Sequence, residues 1–168
     1  MMWDVKQRTW DLDWEQRREG VGCLICAEGR PDDNGSGVRF FEGRTSDAYL
    51  QRSAPAAGYS LVLWRGRHIP DVSEMASEEA TAYWLEVLQV ARIVTRVFEP
   101  CHLNYDLLGN LVPHVHTHIV PRYLDDTSPN MPLKPWEPVL VGESVFEGQL
   151  EQLRKATGEA GSPGVDSV

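Results

Sequence analysis

Three of the chain's five histidines alternate with apolar or β-branched residues in one short run, His114-Val115-His116-Thr117-His118-Ile119-Val120. Val, Thr and Ile favour a pleated, half-buried chain, so the run predicts a β-strand. Successive side chains of a strand point to opposite faces, which puts His114, His116 and His118 on one face with neighbours about 6–7 Å apart. Pro113 and Pro121 bracket the run, as strand ends allow. Three imidazoles in a row make a poor core and a plausible site. Two chemistries suit them. Adjacent members could share a metal, whereas His114 and His118, about 13 Å apart on a straight strand, cannot both reach one ion at Zn–N distances of about 2.0–2.1 Å. The other chemistry is attack on phosphorus by a neutral imidazole, with neighbouring histidines and amide donors steadying the phosphate oxygens. His116, flanked on both sides, is the natural nucleophile.

A second pattern lies far upstream. Cys23-Leu24-Ile25-Cys26 sits among Gly20, Gly22 and Gly29. A C-x-x-C turn lets two thiolates converge on one tetrahedral cation, as Zn–S distances of about 2.3 Å demand. A redox pair would open a helix within a βαβ unit, and Gly29-Arg30-Pro31-Asp32-Asp33-Asn34-Gly35 does not read as that helix. Two inert, buried thiols are the plainer alternative. His68 follows the apolar run Tyr59–Trp64, just past a predicted strand end, where rigid scaffolds commonly carry functional groups.

The elements that must position these groups are short strands and one long helix. Val38–Phe41, Ala48–Leu50, Tyr59–Trp64 and Cys101–Tyr105 read as strands. From Ser73 or Ser77 to Phe98, apolar and small residues fall at Ala80, Tyr83, Trp84, Val87, Leu88, Ala91, Val94 and Phe98, a 3.6-residue stripe. Ser77 is placed to cap that helix, Glu78 and Glu79 complement its dipole, and Pro100 stops it. The short link through Gly109-Asn110 predicts an antiparallel pair and sets that turn close to the chemistry. Cys101 and His102 read as incidental. Ser144–Ala156 predicts a closing helix, with a Gly/Ser/Pro tail after Thr157 that frays. Trp3, Trp10 and Trp14 mark an amino-terminal arm or short helix packing its indoles on the body or on a partner subunit, and Trp136 sits in a Pro-rich loop from Asp125 to Pro138. The fold class predicted is α+β, an antiparallel sheet with the long helix on one face. The division expected is an arm over 1–19, one domain over 20–140, and a helix with tail over 141–168.

With 168 residues the chain has material for one core, and its net charge of −9 argues against a nucleic-acid or anionic-membrane partner. No apolar run approaches the roughly 20 residues of a membrane span, and the amino terminus lacks the apolar core of a secretory signal. Three cysteines make no disulfide framework. A reducing, cytoplasmic setting is the expectation.

The histidine run, continued by Pro121-Arg122, resembles the signature of the histidine-triad (HIT) family, and in particular its bacterial zinc-binding branch related to dinucleoside polyphosphate hydrolases. The resemblance spans about residues 20 to 140, with Cys23-x-x-Cys26, Gly58-x-x-Leu61-Val62, Arg67-His68, the long helix and Gly109-Asn110 in the family's order. It implies that His116 attacks the α-phosphate of a nucleotide, that a nucleotidyl-histidine is then hydrolysed, and that His118 holds phosphate oxygens. Asn110 matches a phosphate-contacting position, Arg122 continues the signature toward the substrate, and Gln51 falls near the ribose-binding Asp or Asn. Gln51 is one departure from the pattern. Tyr59, where many members have His after the Gly, is another. The resemblance further implies a structural zinc on Cys23, Cys26, His68 and His114, and a homodimer with a continuous sheet. A nucleotide hydrolase is the leading expectation. A nucleotidyltransferase or phosphorylase, and a non-catalytic nucleotide-binding module, stand as alternatives.

Overall fold

The computed structural model describes residues 10–133 and 139–160. In chain order the elements are α1 (Trp14–Arg18), α2 (Leu24–Ala27), β1 (Gly37–Glu42), β2 (Ser46–Gln51), β3 (Ser53–Ala54) and β4 (Ser60–Trp64). There follow α3 (Ser77–Phe98), β5 (His102–Asp106), β6 (His116–Arg122), β7 (Val139–Leu140) and α4 (Glu143–Ala160). Five strands form one antiparallel sheet in the order β1-β2-β4-β6-β5, and β3 pairs with β7 in a small second sheet. This is the α+β architecture expected.

The sheet's two faces differ in chemistry because side chains alternate along each strand. One face carries Ala48, Leu50, Val62, Trp64 and Ile119 and packs against α3 and α4 in a single core. On α3 the buried residues Tyr83, Val87, Val90, Ala91, Ile93 and Val94 recur every three or four positions. Each Val or Ile so buried contributes about 1.5–3 kcal/mol relative to exposure. Phe146, Leu150, Leu153 and Ala156 of α4 join the same core. Tyr83 threads the layer boundary: its hydroxyl donates to the Val62 carbonyl at 3.0 Å and lies 2.7 Å from Thr117 Oγ1. The register sets Asp47↔Leu63↔His116 and Tyr49↔Leu61↔His118 in rows, which puts the polar and histidine side chains on the opposite face.

Several boundaries differ from the sequence expectation, each for a physical reason. Ser77 is the first residue of α3 rather than its cap. Ala76 occupies the cap, and Glu79 Oε2 accepts its N–H at 2.8 Å. The helix ends in a left-handed residue, Glu99 (φ 48°), before Pro100. Strand β6 begins at His116, not His114, and runs through Pro121 to Arg122. Pairing with β4 stops at Ile119, so Pro121 has only β5 beside it, and its missing N–H costs no central ladder bond. The closing helix runs on to Ala160, past the expected fray at Thr157. Trp10 and Trp14 lie against each other, centroids 4.4 Å apart, while Trp3 and Trp136 lie outside the described residues.

Candidate catalytic and metal site

Cys23 stands at the head of the one-turn helix α2, which winds Cys26 back beside it. His68 arrives from the loop after β4, and His114 from the segment just before β6. Their four ligand atoms all lie within 4.8 Å of one another, a cluster that could hold a metal ion. Cys23 Sγ and Cys26 Sγ are each 3.5 Å from His114 Nδ1, and Cys26 Sγ is 3.6 Å from His68 Nδ1. A tetrahedral zinc with ordinary Zn–S and Zn–N bonds needs S···N separations of about 3.6 Å. The donor set therefore fits.

The histidine tautomers fit as well. His114 Nε2 donates to the Trp64 carbonyl at 2.8 Å, and His68 Nε2 donates to the Arg18 carbonyl at 3.1 Å. Each ring thus turns its Nδ1 lone pair toward the thiols, the usual arrangement by which an outer hydrogen bond orients a metal ligand. Burial holds the His114 imidazole down at about 4, in its neutral, ligating form. Burial, then the Cys23 hydrogen bond, pushes the Cys26 thiol up to about 11, a penalty that a cation would reverse. Gly20, with φ +92°, packs on the site from the turn after α1: a Cβ there would lie 3.0 Å from His68 Cγ.

His114 is thereby set apart in role from the other two histidines. Its ring belongs to the cysteine cluster, 5.3 Å from His68, while His116 and His118 remain together on β6 with ring centroids 5.0 Å apart. His116 is buried, and its Nδ1–H donates to the His114 carbonyl at 2.6 Å. That bond leaves Nε2 as the ring's lone pair, and burial lowers the pKa, so the imidazole stays neutral. A neutral imidazole with a free Nε2 is the form a nucleophile needs.

Beside it, His118 Nδ1 lies 2.5 Å from the Tyr59 hydroxyl. Burial lowers His118 to about 4, with a smaller contribution from the neighbouring His116. Its Nε2 is the one buried side-chain polar atom without a hydrogen-bond partner among the described residues. Sequence reading marked Tyr59 as a lost imidazole and missed this contact. The signal was the cross-strand register, which brings the start of β4 opposite the middle of β6.

The remaining expected residues are placed unequally. A small depression beside His116 is lined by Pro70, Leu107, Leu108 and Gly109, so the predicted turn does border the histidines, with Asn110 exposed next to it. Gln51 is buried; its backbone N–H donates to the Tyr59 carbonyl, and its side-chain amide reaches the Tyr49 carbonyl at 3.3 Å. Arg122 is committed to its own chain. Nε donates to Asp126 Oδ2, Nη1 to Asn104 Oδ1 and Nη2 to the Ser128 carbonyl, at 2.5, 2.6 and 2.7 Å. It fastens the loop after β6 rather than reaching outward. No described helix is long and apolar enough to cross a membrane.

Comparison with known proteins agrees with this geometry. Residues 36–125 match the HIT domain model. Protein hit of Bacillus subtilis is 37% identical over 108 residues, 61% of this chain and 70% of that protein. The asymmetrical bis(5'-nucleosyl)-tetraphosphatase of Schizosaccharomyces pombe is 29% identical over 96 residues, 54% of this chain and 52% of its own length. This chain thus spans about half the length of that enzyme. Among solved structures, a histidine triad protein from Bradyrhizobium japonicum has a TM-score of 0.66 at 20% identity, covering 73% of this chain and 91% of that one. A zinc-bound histidine triad family protein from Mycobacterium smegmatis has a TM-score of 0.62 at 20% identity, covering 84% and 95%. The chain belongs to the HIT domain family.

Proposed function

We propose that this protein is a nucleotide hydrolase that cleaves at the α-phosphate of a dinucleoside polyphosphate or a nucleoside phosphoramidate. The observation that carries the reading is the Nδ1–H of His116 bonded to the His114 carbonyl, which leaves Nε2 unprotonated next to a second neutral imidazole. The name of the fission-yeast tetraphosphatase supports the substrate class.

In this mechanism His116 Nε2 attacks the α-phosphorus, forming an N–P bond as the bond to the leaving oxygen or nitrogen breaks. The leaving group takes a proton, and water then displaces the histidine to release a nucleoside monophosphate. Pre-orientation by the His114 carbonyl removes the need to select a tautomer during the reaction. His118 sits where it can steady phosphate oxygens. Asn110, beside the depression next to His116, contacts the phosphates, and Gln51 contacts the sugar. Arg122 supports the site by holding the loop after β6.

Cys23, Cys26, His68 and His114 would hold a zinc ion. With four protein ligands it would supply rigidity rather than a reactive water. Thiolate ligands suit a reducing, cytoplasmic setting. A homodimer joined through the open edge of β5, where Tyr105 is exposed, is part of this reading.

Mass spectrometry after brief exposure to a dinucleoside tetraphosphate tests the reading. A nucleoside-monophosphate adduct on His116 is expected, with turnover abolished in His116→Ala. Undiminished turnover in that variant would overturn the nucleophile. Nucleoside diphosphate appearing only with added inorganic phosphate would identify a phosphorylase instead.

A further inference from the structure

The Tyr59–His118 pair has a hydrogen-bond count that only one arrangement satisfies well. Tyr59 is 5% exposed, and its hydroxyl has a single partner among the described residues, His118 Nδ1 at 2.5 Å. If His118 Nδ1 carried the proton, the tyrosine proton would be buried without an acceptor and His118 Nε2 would be a buried lone pair without a donor. If the hydroxyl donates, one unmet group remains, the N–H at His118 Nε2. Burial, then the nearby Asp106 carboxylate, raises the Tyr59 pKa, so the hydroxyl keeps its proton. An unmet buried donor is costly and is retained where a ligand completes it.

We infer that Tyr59 is a positioning residue, whose hydroxyl donates to His118 Nδ1 and so holds an N–H at Nε2 ready to donate to a phosphate oxygen of the substrate. The identity of that acceptor rests on the hydrolase reading; the tautomer does not. The two histidines of β6 are then set in opposite senses. His116 has its proton on Nδ1 and offers a lone pair at Nε2, whereas His118 accepts at Nδ1 and offers a proton at Nε2. A backbone carbonyl sets the first and a tyrosine sets the second. One ring is made a nucleophile and its neighbour, 5.0 Å away, a donor for the charge that develops on phosphorus oxygens. Gly58 fixes the approach: its φ of +74° and the Phe98 ring against it turn the chain into Tyr59, whose ring packs with Ala54 and Val120.

Nitrogen-15 NMR of histidine-labelled full-length protein at neutral pH tests the assignment directly. The parent should show His118 protonated at Nε2 with a hydrogen-bonded Nδ1, and adenosine 5'-monophosphate should shift the Nε2 signal. In Tyr59→Phe, which keeps the packing, the Nδ1 signal should move toward that of an unbonded nitrogen and both tautomers should appear. With a dinucleoside tetraphosphate as substrate, kcat should fall by about tenfold or more while KM changes less. An Nδ1-protonated His118 in the parent, or an unchanged tautomer in Tyr59→Phe, overturns the inference. An Nε2 signal indifferent to adenosine monophosphate overturns the donor role. Absence of nucleotide turnover by the parent, with the tautomer shift intact, removes the hydrolase reading alone.

Discussion

The carbonyl of His114 accepts the Nδ1 proton of His116 at 2.6 Å, while the ring of the same His114 is held between two cysteines and the Trp64 carbonyl. One residue therefore joins the cysteine–histidine cluster to the proposed nucleophile, through its side chain on one side and its backbone on the other. Loosening the cluster should disturb catalysis without touching a reacting atom. Cys26→Ala is expected to release zinc, lower the melting temperature, and reduce kcat by about tenfold or more, with His116 still able to form its adduct slowly. Zinc content, thermal unfolding and turnover measured on the same preparations check this. Full turnover by a zinc-free variant would uncouple the two sites.

His118 gives a pH dependence with a definite sign. Its folded pKa is lowered to about 4, against the ordinary 6.5. Below pH 6.5 the unfolded chain takes up a proton that the folded chain refuses, so stability is full above 6.5 and falls as pH drops toward 4. The slope is about 1.4 kcal/mol per pH unit within that window. Urea unfolding of the parent and of His118→Asn at pH 7 and pH 5 isolates the effect, because the cysteine–histidine cluster is common to both. The parent should lose about 1–2 kcal/mol more than the variant over that range. Equal losses would mean that His118 titrates normally.

How much of this could be read from residues alone varies with the range of the interaction. Helix α3 was legible at both ends because a 3.6-residue stripe, an acidic first turn and Pro100 all act locally. Cys23, Cys26, His68 and His114 were legible as a set only through the family resemblance, since contacts across 42 to 91 positions leave no periodic trace. The alternation rule left the roles of the three histidines open, and only the resemblance set His114 with the cysteines. The regular strand begins at His116, two residues later than expected, although the Trp64 N–H already donates to the Val115 carbonyl. Tyr59 could be named but not interpreted, because its partner lies 59 positions away and depends on the β4–β6 register. Asp47, in the unremarkable stretch Ser46-Asp47-Ala48, could not be found at all.

Two glycines should respond with opposite signs. Gly58 has φ +74°, and a Cβ there would lie 2.5 Å from Phe98 Cδ2. Gly58→Ala should cost about 1–3 kcal/mol and displace Tyr59. Gly148 lies inside α4 with open space around its missing Cβ. Gly148→Ala should stabilise by about 0.5–1 kcal/mol, since alanine loses less backbone freedom in a helix. Denaturant midpoints at constant m-value decide both. A stabilised Gly58→Ala would show that the loop before β4 yields easily.

Asp47 is the charge on which the C-x-x-C segment hangs. Its side chain is fully buried, and its carboxylate accepts from Arg30 at 2.5 and 3.0 Å and from Arg65 Nε at 3.0 Å, with Arg39 3.6 Å away. Arg65 is nearly as buried, and it also donates to the Ile25 carbonyl on α2 and to the Tyr49 hydroxyl. The path Asp47–Arg65–Ile25 ties the C-x-x-C turn to the centre of the sheet. Removing the carboxylate leaves Arg65 buried without its main counter-charge, which is far costlier than losing a surface pair. Asp47→Ala should therefore destabilise the fold by about 3–5 kcal/mol. The milder Asp47→Asn keeps the shape and should show the specific consequence, faster zinc loss to a chromogenic chelator with His116 chemistry otherwise intact. Chelator kinetics read alongside urea unfolding separate the two effects. If Asp47→Asn released zinc at the parental rate, the arginine cluster would be supporting the sheet alone and not the cysteines.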